Sequence, residues 1–233
     1  MSDSDITKKP KAKVGDAGHT IAKAVLSAIP YLGGPAAELF AAVVTPPLTK
    51  RRDEWVESIA TELKKLEEKI DGFKIENLAQ NEIFITTVMQ ATQSAIRNHQ
   101  EEKLEALRNA VINTALSTTI DENISMMFLN FIDTFTPWHL KILKFFESPQ
   151  EWGNKHNITY SDYASGAPSH VLEESFPTEL RGRRNFYDQI VKDLYLRGLM
   201  NTESLHVTMT VHGMFEPRIT DLGKQFIKFI TVP

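Results

Sequence analysis

Residues 20–48 read TIAKAVLSAIPYLGGPAAELFAAVVTPPL, a run in which nearly every position is apolar or small. A helix needs about 20 consecutive apolar residues to span the hydrocarbon core, whereas Lys23, Pro30, the Gly33-Gly34-Pro35 corner and Glu38 cut this run into pieces of about ten. A straight transmembrane helix is therefore disfavoured. Two uses remain. As core, the alanines allow close helix approach, and Leu26, Ile29, Leu32, Leu39, Phe40 and Val43 supply buried surface. As an interfacial helix pair, the same residues meet lipid or a partner while Lys8, Lys9, Lys11, Lys13 and the Lys50-Arg51-Arg52 cluster touch anionic headgroups.

The stretch after Pro46-Pro47 settles the class of the first half. Trp55, Ile59, Leu63, Leu66, Ile70 and Phe73 recur every three or four residues among Lys and Glu, the stripe of a long amphipathic helix. Pairs such as Glu62 with Lys65 contribute only about 0.2 to 0.5 kcal/mol each, so packing must hold this helix. Asp71-Gly72 interrupts it. Further stripes follow at Phe84, Val88, Ala91 and Ala95, at Leu104, Leu107, Val111 and Ala115, and at Ile124, Met127, Phe128, Phe131 and Phe135. Thr119 or Asp121 is the natural cap of the last. With no strand-like alternation from 50 to 135, the reading is a helical bundle over 16–135, joined by short helices at 20–29 and 36–44 and preceded by a flexible tail over 1–15.

The pattern changes at Thr136-Pro137, where an N-cap and a first-position proline open the helix TPWHLKILKFFESP. A polar loop is expected through about 168, then a short helix at 170–176 and a longer one at 179–200 striped by Phe186, Ile190, Val191 and Leu194. LHVTMTV, residues 205–211, alternates as a half-buried strand does. The corner GMFEP separates it from a short strand at 218–220, and Thr220 caps a closing helix. The expected fold is mainly α, with the N-terminal bundle followed by a winged helix-turn-helix over 136–233 that carries a small β-hairpin.

The segments TPWHLKILKFF, LYLRGLM and RITDLGKQFIKFI resemble the C-terminal winged-helix-like part of the Abi-alpha-like abortive-infection proteins of bacteria, over about residues 136–231. The resemblance implies a bacterial phage-defence setting and carries no catalytic residue. The N-terminal half is similar in architecture to the small-residue-rich helical bundles of membrane-perforating cell-death domains.

Length and composition bound the chemistry. The 233 residues suffice for two units with cores of their own, and a net charge of -4 gives no global attraction to phosphate or anionic lipid. The absence of cysteine removes disulfides, thiolate nucleophiles and Cys-based zinc sites, and fits a reducing cytosol. The first twenty residues lack the compact apolar region of a secretory signal. Gly33-Gly34 has neither the spacing nor the Lys-Ser/Thr of a phosphate loop and reads as a corner. His206 and His212, with Asp162 or Glu216, lack zinc-ligand spacing, and Ser169-His170 has no nucleophile elbow or orienting acid. Glu67-Glu68, Glu101-Glu102 and Glu173-Glu174 read as solvated faces. No catalytic, metal or cofactor residue is expected.

Arg181, Arg183 and Arg184, with Lys192 further along, fall where a helix-turn-helix places its nucleic-acid contacts. Against that, residues 136–233 hold eleven Lys plus Arg and eleven Asp plus Glu, a neutral module for a ligand bound mainly through phosphate. The leading expectation is a non-enzymatic interaction or effector protein, cytoplasmic or peripheral to a membrane, whose bundle contacts a protein partner, a second copy or an anionic membrane surface while the winged helix docks or senses. The alternative is a dimeric winged-helix DNA-binding regulator.

Overall fold

The computed structural model describes residues 35–116 and 121–232, with side chains from residue 48 onward. It is mainly helical, with eleven helices and one two-stranded sheet among the described residues. The chain divides into two units, Met1–Trp55 and Val56–Pro233. Of the sequence features in the first unit, the tail and the helix at 20–29 lie outside the described residues.

Helix α1 covers Pro35–Lys69. The break expected at Pro46-Pro47 does not occur: the helix passes through both prolines and includes the piece expected at 36–44. Two prolines in a helix remove two backbone donors, so the carbonyls of Ala42 and Val43 lack their i→i−4 partners. Within the second unit, Ile59 and Leu63 of the predicted stripe are buried. The helix stops before a turn centred on Gly72, whose φ of 83° is left-handed.

The second unit continues with α2 (Ile75–Leu78), α3 (Glu82–Arg97), α4 (Glu101–Leu116) and α5 (Glu122–Thr134). Phe84, Ala91 and Ala95 of α3, Leu107 and Val111 of α4, and Phe128 and Phe131 of α5 are buried, as their spacing predicts. Asp121 caps α5 by accepting from the Ile124 amide at 3.1 Å; Thr119 lies outside the described residues. α6 (Pro137–Glu147) starts as expected, and the Thr136 amide donates to Nδ1 of His139 in a capping box.

The loop expected from 148 to 168 contains helix α7 (Pro149–Lys155) and strand β1 (Ser165–Gly166) before α8 (Pro168–Ser175). Ser148-Pro149 ends one helix and opens the next, because proline fits a first helical position as readily as it stops a helix. α9 covers Arg184–Leu196, shorter than the helix expected over 179–200. Its start is delayed by the turn at Gly182, with φ 76°.

The half-buried strand over 205–211 and its hairpin with 218–220 do not form. Only Met209–Thr210 is extended as β2, and it pairs antiparallel with β1. Leu205 is buried, whereas Val207 is 61% exposed, because the two-residue β1 offers no sheet long enough to cover one whole face. Thr210 instead caps α10 (Val211–Phe215), where a strand end and corner were expected. Residues 218–220 pair with 199–201: Asn201 N–H donates to Arg218 O at 3.1 Å and Thr220 N–H to Leu199 O at 3.0 Å. Helix α11 (Asp221–Ile230) then begins under the Thr220 cap, whose hydroxyl accepts from the Gly223 amide at 3.0 Å.

The boundary drawn at 135/136 falls inside the second unit, where α11 packs on α4 and on α6. Phe226 at the centre is fully buried, with ring centroids 5.2 Å from Phe128 and 6.0 Å from both Phe131 and Phe135. Such edge-on pairs add about 0.5 to 1.5 kcal/mol each beyond the burial of area.

Candidate functional site

A groove of about 470 Å³ lies between the last turns of α1 and the length of α4. Leu66 of α1, Ile70 just after it, Ile112 and Leu116 of α4, and Val232 after α11 form its apolar lining. Glu62, Lys65, Lys69, Glu105 and Arg108 border it. Two asparagines fix its far wall. Asn109 donates to Ile230 O at 3.0 Å, and Asn113 donates to the carbonyls of Phe229 and Thr231 at 3.0 and 2.8 Å. These are carbonyls that the end of a helix leaves without partners, so α4 caps α11 and thereby holds Val232 at the lip. Ile70 and Val232 are 39% and 74% exposed, an apolar edge open to solvent. The volume falls in the range of ligand clefts, roughly 300 to 1,000 Å³, and an apolar lining with a few polar groups is their usual composition.

The basic residues singled out in the sequence are spread between a turn and a helix rather than along one helix face. Arg181 and Arg183 precede α9, and only Arg184 and Lys192 belong to it. Arg183 turns back, donating to Glu179 O at 3.2 Å and lying 4.2 Å from the centre of the Phe186 ring. Arg184 meets Asp188 at 3.4 Å, while Arg181 and Lys192 are exposed. The first turn of α9 has no side-chain cap and no acid, and the Phe186 amide donates to Arg183 O at 2.9 Å.

Other polar side chains tie elements together. Asp133 on α5 accepts from Ser94 at 2.6 Å and from Arg97 at 3.0 and 3.1 Å, while its backbone carbonyl takes the buried ammonium of Lys103 at 2.9 Å. Burial pushes the Lys103 pKa down, opposed by the charge of Asp133. His139 stacks on Phe135 with ring centroids 4.7 Å apart. Its Nδ1 accepts the Thr136 amide, so the neutral ring carries its proton on Nε2, which faces Asp193 at 3.4 Å. Burial holds its pKa below the ordinary value, outweighing Asp193.

The histidines flagged from sequence fall in separate local pairings. His206 Nε2 meets Asp188 at 2.7 Å and His212 meets Glu216 at 3.5 Å, two separate pairs. His170 stacks against Tyr163, and Ser169 is buried. Glu174 accepts from the Ser161 amide and hydroxyl, at 3.0 and 2.5 Å. Burial, followed by its hydrogen bond to Glu174, pushes the Tyr163 phenol up to about 12. Among the described residues no three His, Asp or Glu side chains converge as a metal site would require.

For the residues assigned to membrane or partner contact, Leu26, Ile29 and Leu32 lie outside the described residues. The backbones of Leu39, Phe40 and Val43 belong to α1, and their side chains lie outside the described set. Lys50 pairs with Glu54 at 3.6 Å and Arg52 with Asp53 at 3.0 Å, while Arg51 is half-buried. Among the described residues no helix is long and apolar enough to cross a membrane. The groove was not anticipated from sequence, although Leu66 and Ile70 belong to the predicted stripe. Compared with protein-family models, curated proteins and solved structures, the chain matches none.

Proposed function

We propose that the chain is a non-enzymatic interaction protein that holds an apolar segment of a protein partner in the groove between α1 and α4. The observation that carries this reading is an apolar cleft whose lip, Ile70 and Val232, stays exposed while charged side chains surround it. Apolar patches rimmed by polar residues are what interaction sites present. The resemblance of residues 136–231 to abortive-infection proteins is the ground for proposing a phage-defence setting. A photo-reactive phenylalanine analogue at position 70, in cells that make the protein, tests the reading. A discrete protein adduct is expected from position 70 and not from Lys64, exposed on the opposite side of α1. The same adducts from both positions, or none from position 70, would refute it. Contact with anionic membrane through residues 20–48 is the competing use. Co-flotation of the full chain with anionic vesicles, abolished by Leu39→Asp with Phe40→Asp, would favour it.

The second reading is winged-helix DNA binding, supported by the uncapped start of α9 beside Arg181, Arg183 and Arg184. It requires affinity that falls steeply with salt and disappears when the three arginines become alanine. Salt-insensitive binding, or none, removes it.

A further inference from the structure

We infer that the groove takes one amphipathic helix of about three turns that directs a carboxylate toward Lys69 and Arg108; this rests on the docking reading above. The spacing argues for a helix. On α4 the lining positions are Glu105, Arg108, Ile112 and Leu116, separated by three, four and four residues; Glu62 and Leu66 on α1 and Ile70, whose amide still donates to Leu66 O at 2.9 Å just past its end, are four apart. This is how two helices of a bundle face a third. Eleven residues from Glu105 to Leu116 at 1.5 Å each give about 16 Å, the length of three helical turns. The apolar lining then receives a row of side chains spaced three or four apart, in a cleft of about 470 Å³.

The charges argue for an acidic edge. Lys65 is already engaged by Glu62 at 2.8 Å. Lys69 and Arg108 make no ion pair among the described residues, and they border the groove from its two walls. Glu62, paired with Lys65, and Glu105 are the acids on the same rim, so the docked helix must keep its own acid away from Glu105. A carboxylate between Lys69 and Arg108 has a cation on each side, whereas a lysine there meets two like charges.

Fluorescence anisotropy on the full chain tests this with three labelled helical peptides of about 15 residues. One carries leucines at three- and four-residue spacing with glutamates on one edge. The second replaces the glutamates by lysines, and the third interrupts the first with a central proline. The Glu peptide is expected to bind roughly tenfold more tightly than the other two. The double variant Lys69→Glu with Arg108→Glu is expected to reverse the preference between Glu and Lys peptides. Equal binding of those two, both lost in Ile70→Glu, leaves the docking groove standing and overturns the acidic edge. Full binding by the proline peptide overturns the helix. No binding, or binding that Ile70→Glu leaves untouched, overturns the inference and the docking reading together.

Discussion

Replacing Gly223 by alanine puts a methyl where the closing helix touches the end of the segment after α9. A Cβ at that position lies 2.3 Å from the Leu199 carbonyl oxygen and 3.3 Å from Cβ of Ile219. Carbon–oxygen contacts settle at about 3.3 Å or more, so α11 must retreat by about 1 Å. The retreat strains the bond from the Thr220 amide to Leu199 O at 3.0 Å and that from its hydroxyl to Gly198 O at 2.6 Å. Each is worth about 0.5 to 1.5 kcal/mol, and overpacking adds about 1 to 3. Alanine's helix propensity returns only about 1 kcal/mol over glycine. The net loss is about 1 to 5 kcal/mol, which for a unit of this size lowers the thermal midpoint by roughly 2 to 20 °C. Urea unfolding followed by tryptophan fluorescence, with calorimetry, measures it. Gly182 is the control: its φ is 76°, and a methyl added there would meet nothing within 4 Å. Gly182→Ala costs only the left-handed penalty of about 1 to 2 kcal/mol, and Gly182→Asn recovers part of it. A Gly223→Ala protein as stable as the parent would refute the close-contact argument.

Phe226→Ala removes the ring shared by Phe128, Phe131 and Phe135 and is expected to cost about 3 to 5 kcal/mol in urea unfolding. Asp133→Ala is expected to cost only about 1 kcal/mol, because its carboxylate is 37% exposed and Arg97 64%, so solvent screens the pair. Asp133→Asn, which can still accept from Ser94, is expected to lose less. His139 is held below its ordinary pKa of about 6.5, so its neutral form favours folding above that pH and the contribution is lost as pH falls from 6.5 through the folded value. His139→Gln keeps an N3 acceptor for the cap and should flatten that acid-side loss in a pH series of unfolding midpoints.

Helix positions were legible where local physics suffices. The stripes of α3, α4 and α5 and the caps Asp121 and Thr220 depend on residues within a turn or two of each other, and the structure contains them. The failures share a different origin. Residues 205–211 alternate as a strand does, but a strand needs a neighbour, and β1 is two residues long. Pro149 read as a stop is also a start, and Gly182 shortened the helix on which the arginines were placed. The groove depends on how far α1 stands from α4 and on Val232, brought there by Asn109 and Asn113 from more than a hundred positions away. No local spacing encodes that distance.

The most direct test of the docking account is a titration of the full chain with 1-anilinonaphthalene-8-sulfonate, an apolar anion suited to a cleft bordered by Lys69 and Arg108. Saturable fluorescence enhancement is predicted, lost in Ile70→Glu while the unfolding midpoint stays unchanged, because Ile70 is exposed. Enhancement that is absent in the parent, or equal in parent and variant, would contradict the claim that this groove is an open apolar docking site.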